Sequence, residues 1–363
     1  MKVRAKGAVG VATAVVLGVT GGGGSAFADD MDPHEIYERS APATVHVLGK
    51  DYSLGSGFIY NPDQGLIATA AHVVQGEATL KVVVGDRQPV PVRVVGIDPC
   101  EDLAVLKFTS PQQDLKGLKF GESKGLQAAD RVVSLGYPDA LGDNPTAAKP
   151  AYTGGSVQNP NVQNAVPSSS LPRYPVTVQH SATVNPGNSG GPLLNGKDEV
   201  VGINTLTATG GVQGQFYAIS SDHARPVLDS LAAGETKNDP GWSLMALDDP
   251  ELSAQFVEED QPTVEKLQKR LTDAEVSGVV VVRSLTNSPA YKAELLPGDV
   301  VTHLKDAPVA SVAEVCDVLQ SASPGESLPV TAVVTADDPK GQFKFGDAWT
   351  TELVLGKSKG GGG

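Results

Sequence analysis

Between residues 44 and 205 apolar residues recur in short runs, each closed by Gly, Pro, Asn or Asp. The runs Thr44–Leu48, Ser56–Tyr60, Leu66–Ala70, Leu80–Val84, Val90–Val95, Leu103–Phe108, Arg131–Leu135, Val176–Gln179 and Val200–Thr205 read as strands. Many short strands at this spacing predict an all-β barrel or sandwich. Residues 137–175 break the rhythm: they are rich in Pro, Asn, Ser and Gly, with little apolar periodicity. That pattern predicts a long functional or mobile loop. Residues 231–240 are polar and breaker-rich and read as a linker. From 241 to 356 the pattern changes. Strands near Leu244–Leu247, Val279–Arg283, Asp299–Leu304 and Leu328–Thr335 alternate with helical patterns over Pro250–Phe256, Pro289–Ala293 and Val312–Ser321, as in a small α+β domain. Residues 257–277 are acidic, then helix-like across Thr263–Leu271, and read as an insertion. The Gly-rich stretch 357–363 reads as a flexible tail.

The start of the chain follows a different logic. Lys2, Arg4 and Lys6 precede an uncharged apolar stretch from Gly7 to Thr20, and Ala26-Phe27-Ala28 offers a small-x-small cleavage site. Residues 1–28 read as a secretory signal peptide. The alternative is a retained anchor, for which the apolar stretch is short. The rest of the chain divides into 29–230, the linker and 241–356.

Charge narrows the partners. The 363 residues carry 28 Lys+Arg against 42 Asp+Glu, a net charge of −14. An acidic chain is poorly suited to nucleic acid, whose phosphates call for Lys and Arg. Two cysteines are too few for a disulfide scaffold or a multi-Cys zinc module. Export places Cys100 and Cys316 in an oxidising compartment, where a disulfide between them would join the two domains. Each reads instead as a small buried hydrophobe, Cys316 sharing a helical face with Val312, Val315 and Leu319.

Three segments carry the chemistry. In Asn185-Pro186-Gly187-Asn188-Ser189-Gly190-Gly191-Pro192, a Ser sits between glycines on a tight turn. There the amides of the Gly187-Asn188-Ser189 turn, those of Gly187 and Ser189 above all, converge on one point and stabilise an oxyanion. A Ser hydroxyl needs a base. His72 ends an apolar strand in Ala68-Thr69-Ala70-Ala71-His72 and is the candidate. The base needs an orienting carboxylate. Asp102 opens the apolar run Leu103-Ala104-Val105-Leu106 and is favoured, with Asp98 as the alternative. His180, just ahead of the nucleophile turn, reads as local structure. His34, His46, His223 and His303 read as surface or packing residues, and no pair has metal-ligand spacing.

The order His72, Asp102, Ser189 is that of chymotrypsin. With Gly55-Ser56-Gly57-Phe58-Ile59 upstream and His72-Val73-Val74, these motifs resemble the HtrA/Deg family of chymotrypsin-fold serine proteases. The resemblance implies two six-stranded antiparallel β-barrels with the triad in the cleft between them. It puts the floor of the specificity pocket at Thr183 and Val184 and its wall at Ile203, Asn204 and Thr205. No acid lies there, so a small or medium apolar side chain is expected at the cleaved position.

Gly278-Val279-Val280-Val281-Val282-Arg283 and Leu296-Pro297-Gly298-Asp299-Val300 resemble a PDZ domain. Val312–Gln320 is then the groove helix and Gly241-Trp242-Ser243-Leu244 the loop that captures a C-terminal carboxylate. Ser243 and Glu294 stand where the family usually has Gly. The implied protein is an exported, ATP-independent endopeptidase without cofactor, secreted, periplasmic or attached to the cell envelope. Its substrates are unfolded or damaged proteins, its PDZ domain binds C-terminal peptides or regulates, and it forms homo-oligomers, trimers by resemblance. The second reading is a dormant protease fold acting as a peptide-binding chaperone or stress sensor. An esterase on the same triad is disfavoured, because the strand-to-helix elbow of the esterases is not present.

Overall fold

The computed structural model describes residues 30–49, 53–138, 149–207, 214–336 and 342–356. The expected signal peptide, residues 1–28, and the tail from 357 lie outside them. A short helix, α1 (Pro33–Ser40), comes first among the described residues, with Pro33 in its first turn and Asp32 capping the His34 amide. Six strands follow: β1 (Thr44–Leu48), β2 (Ser53–Asn61), β3 (Leu66–Thr69), β4 (Leu80–Val84), β5 (Val90–Asp98) and β6 (Leu103–Phe108). They close into a barrel of order β1-β2-β3-β6-β5-β4. Its interior is filled by branched residues such as Val45, Val47, Ile59, Ile67, Val82 and Leu106. Their volume suits a closed pleated surface with no edge left to cover. A four-residue turn of helix, α2 (Ala71–Val74), sits between β3 and β4.

The second barrel is built from β8 (Arg131–Gly136), β9 (Ala151–Ala165), β10 (Tyr174–His180), β11 (Pro192–Asn195), β12 (Glu199–Thr207) and β13 (Phe216–Ser220). The order β11-β8-β9-β10-β13-β12 closes through a β11–β12 pairing, and the two-residue β7 (Lys119–Phe120) adds to β12 in parallel. Helix α3 (Ser221–Ala232) packs back onto β5 and β6 through Ala224, Leu228 and Leu231. A shared core including Ile36, Phe58, Leu103, Leu135 and Tyr174 lies between the barrels.

Two expectations change here. The stretch 137–175 holds β9, fifteen residues long, paired with β8 over Ala151–Ser156 and with β10 over Val157–Ala165. It escaped the apolar pattern because few of its side chains are buried and its ladder is made by backbone groups. The cysteines are also not separate. Cys100 and Cys316 form a disulfide, with Cα atoms 5.4 Å apart across 216 residues. The surroundings of each are apolar and both are buried, as a small hydrophobe would be; only tertiary docking brings them together.

The C-terminal domain has strands β14 (Trp242–Ala246), β15 (Val279–Ser284), β16 (Val300–Leu304), β17 (Ala307–Pro308), β18 (Ser327–Val333) and β19 (Ala348–Val354). The sheet order is β14-β15-β16-β18-β19, with β17 on β16. Helix α4 (Gln261–Asp273) places Val264 and Leu271 against Leu247, Val280 and Val282. Of the helical pattern over Pro250–Phe256, only a single tight turn, Ser253–Gln255, forms. Helices α5 (Pro289–Lys292) and α6 (Val312–Ser321) start at Ser288 and Ser311, and α6 carries a full capping box with Glu314. Residues 231–240 open as the last turn of α3 and then lie along β5, where Thr236 bridges Ile97 and the Lys237 amide donates to the Ile97 carbonyl at 3.0 Å.

Candidate active site

The base and its carboxylate meet as the strand ends require. His72 rides on α2, immediately after β3, and its ring Nδ1 lies 2.9 Å from both oxygens of Asp102. The His72 backbone amide also donates to Asp102 Oδ1 at 2.9 Å. Asp102 ends the turn from β5 to β6 with φ +52°, and is 1% exposed. Asp98 is the residue that shapes this turn. Its Oδ1 accepts from the Cys100 amide at 3.1 Å and from Asn238 Nδ2 at 3.0 Å. Asp98 is therefore the loop-former and Asp102 the partner of the base. Burial lowers the proton affinity of His72, but the charge and hydrogen bond of Asp102 outweigh it and leave the pKa raised.

The nucleophile turn comes from the other barrel and is clamped by β2. The Ser56 amide donates to the Ser189 carbonyl at 2.9 Å, and Ser56 Oγ donates to the Gly187 carbonyl at 2.7 Å. The Gly190 amide donates to the Asn204 carbonyl at 2.8 Å. Gly190 has φ +83°, and a Cβ there would stand 2.3 Å from the Ser56 carbonyl oxygen, so only glycine fits. Gly187 has φ +92°. The amides of Gly187 and Ser189 are not used in the fold's own hydrogen bonding among the described residues. Asn188, the residue between them, is buried. Ser189 is 3% exposed, and its Oγ makes no hydrogen bond within the protein. The nucleophile–base bond is thus open in this state, as it often is before substrate arrives.

The remaining expected residues have definite places. Thr183 is exposed, with its carbonyl taken by Thr153 Oγ1 at 2.8 Å, and Val184 is buried. Ile203, Asn204 and Thr205 are fully buried on β12; Asn204 Nδ2 donates to Ser134 Oγ and to the Pro192 carbonyl. His180 is buried beside Phe216, and burial pushes its pKa down to about 4, so it is neutral at pH 7. His223 is more than packing: its Nε2 reaches Glu101 at 2.6 Å, the residue next to Asp102 in the chain. Sequence reasoning also missed Tyr174, whose hydroxyl donates to Asp102 Oδ2 at 2.7 Å.

The C-terminal domain sits directly on this site. Ser170-Leu171-Pro172, β14 and α6 together line a space of only about 30 Å³ whose walls also include His72 and Asp102. The Val312 amide at the start of α6 donates to the Ser169 carbonyl at 2.8 Å. At the end of β14, the Ala246 amide donates to Ser170 Oγ at 3.0 Å. The loop Gly241-Trp242-Ser243-Leu244 is also covered. Trp242 is 1% exposed, and a Cβ on Gly76 would lie 3.4 Å from that of Ser243. Beside it Arg283 pairs with Glu77 at 2.7 Å.

Comparison with known proteins agrees with this geometry. Residues 55–203 match the trypsin-like peptidase domain and residues 250–347 the PDZ domain. A putative serine protease HhoA of Synechocystis sp. is 32% identical over 305 residues, covering 83% of this chain and 72% of the relative. A probable periplasmic serine endoprotease DegP-like of Hahella chejuensis is 33% identical over 305 residues, covering 83% of this chain and 57% of the relative. The chain thus spans little more than half of that DegP-like relative. Among solved structures, an HtrA-type protease AlgW with tripeptide is similar with a TM-score of 0.50 and 25% identity, over 90% of this chain and 97% of that one.

Proposed function

This chain belongs to the HtrA/DegP-like family of serine proteases, with a trypsin-like domain followed by a PDZ domain, and from that premise we propose how it works. It is an exported, ATP-independent endopeptidase that cleaves unfolded or damaged proteins. The observation that carries the reading is the bond of His72 Nδ1 to Asp102 across from a Ser189 held on the opposing barrel.

Ser189 Oγ attacks the peptide carbonyl carbon as His72 Nε2 takes the hydroxyl proton. Negative charge gathers on the carbonyl oxygen, where the Gly187 and Ser189 amides receive it. His72 passes its proton to the leaving amine, and the acyl-enzyme forms. Water then repeats the sequence and releases the acid. Asp102 keeps the imidazole oriented and stabilises the imidazolium that forms. A small or medium apolar residue precedes the cleaved bond, read by the pocket around Thr183, Val184, Ile203, Asn204 and Thr205.

The PDZ domain regulates. The groove that would take a C-terminal peptide through Gly241, Trp242, Ser243 and Leu244 is walled by the chain's own Ser170-Leu171-Pro172, with about 30 Å³ of space between them. Peptide tails then act by displacing that segment. Assembly into homo-oligomers, trimers in this reading, and work in the periplasm or cell envelope complete the proposal.

A second reading, a dormant fold that binds peptides as a chaperone or sensor, draws on the missing bond at Ser189 Oγ. The test is casein digestion and fluorophosphonate labelling by the protein lacking residues 1–28, beside Ser189→Ala. Cleavage and labelling lost in Ser189→Ala support the protease. A wild type that neither labels nor cleaves, even with added C-terminal peptide, leaves the binding reading.

A further inference from the structure

We propose that Tyr174 is a positioning residue of the triad, holding the Asp102 carboxylate in the plane of His72 through its hydroxyl. The inference rests on the protease reading and adds a part to it.

The Asp102 carboxylate has no water to lean on, being 1% exposed. Its rotation is set by the donors around it. Oδ1 accepts from the His72 backbone amide and shares Nδ1; Oδ2 shares Nδ1 at 2.9 Å and accepts from Tyr174 Oη at 2.7 Å. Without the tyrosine, both remaining donors come from one residue, and the carboxylate is free to swing about its own axis. A charge-assisted bond of this length is among the stronger ones available to a buried carboxylate.

Tyr174 is itself held. It is fully buried at the first position of β10, in the core shared by Phe58, Leu103 and Leu135. The Thr205 hydroxyl from β12 reaches the same phenol oxygen. Burial and the Asp102 charge raise the tyrosine pKa well above its usual value, so it remains a neutral donor wherever the enzyme works. A phenylalanine would fill the same volume. What the hydroxyl adds is the bond to Asp102 Oδ2.

The consequence is electrostatic as well as geometric. Losing the donor concentrates negative charge on the carboxylate and strengthens its pull on the imidazolium. The His72 pKa then rises and turnover falls.

The experiment uses the full chain without residues 1–28. The His72 titration is followed by NMR in Ser189→Ala, with and without Tyr174→Phe, and turnover of a fluorogenic peptide is followed across pH in the active background. Expected are a rise of at least half a pH unit in the His72 pKa, a matching shift of the acid limb, and a roughly tenfold lower kcat at unchanged KM. Replacing Tyr174 by 3,5-difluorotyrosine, a stronger donor of nearly the same size, should move the His72 pKa down, and covers the case in which Tyr174→Phe fails to fold. An unmoved or lowered pKa in Tyr174→Phe, or an unmoved one in the fluorinated protein, overturns the proposal. A wild type that turns over no substrate while His72 still responds to Tyr174 removes the protease reading and leaves this bond standing.

Discussion

Cys100, two residues before the carboxylate that orients His72, is covalently bonded to Cys316 on the helix that walls the PDZ groove. The bond spans 216 residues and ties the turn of one domain to the groove of the other. Both sulfurs are buried, at 1% and 4% exposure of their residues, so the link is a permanent brace rather than an exposed thiol pair.

Removing the brace as Cys100→Ala/Cys316→Ala should cost about 2–5 kcal/mol of stability, the range expected for closing so long a loop. Chemical denaturation of oxidised and variant protein measures it. The same variant should bind a fluorescent C-terminal apolar peptide at least tenfold more tightly, because Ser170-Leu171-Pro172 can then leave the groove. Equal affinities would mean that the disulfide does not keep the groove shut.

The raised pKa of His72 fixes the acid side of the activity profile. Protonated His72 cannot accept the Ser189 proton, so the rate climbs as pH rises through that pKa. The midpoint of kcat/KM should lie above the usual 6.5. Asp102→Asn should lower the rate by about four orders of magnitude, as the loss of the orienting carboxylate does in such triads.

Asp239, in the segment joining the domains, has a pKa pushed up to about 6, first by burial and further by Asp98, against bonds from the Gly241 amide and Gln75. A pKa above the unfolded value stabilises the fold at low pH, and that contribution is lost as pH rises through 6. Asp98 is raised in the same direction. From about pH 4 to 6 these shifts lower the melting temperature, against the opposite trend of buried, neutral His180, and Asp239→Asn should shrink that drop. An unchanged drop in the variant would show that Asp239 does not supply it.

Gly190→Ala places a methyl group 2.3 Å from the Ser56 carbonyl and 2.4 Å from Thr69 Oγ1, at a φ that penalises any side chain. A loss of about 2–5 kcal/mol in urea unfolding is expected, from backbone strain plus overpacking. Labelling of Ser189 should slow by at least 100-fold, because the turn carrying its amides must move.

Much of this protein is legible along the chain. Strands β1, β4 and β6 match their apolar runs end to end, since each run is buried at nearly every position and closed by a turn residue. β9 is illegible because its pairing is made by backbone groups while nearly all its side chains stay outside the core. His72, Asp102 and Ser189 stand out along the chain because each sits in a local setting that the proposed chemistry requires. The choice between Asp98 and Asp102 was open in the sequence. It is decided by a turn that points one carboxylate at the ring and the other at backbone amides.

The sequence by itself determined the chemistry and the two architectures, because nucleophile turns, strand periodicity and helix caps are short-range patterns written in neighbouring residues. Tertiary structure alone decided that Tyr174 completes the carboxylate's shell, that Cys100 finds Cys316, and that Ser170-Leu171-Pro172 lines one small space with β14 and α6. Those are contacts between residues 72 to 216 positions apart. No local pattern records them, because they depend on how the barrels and the C-terminal domain dock once each has formed.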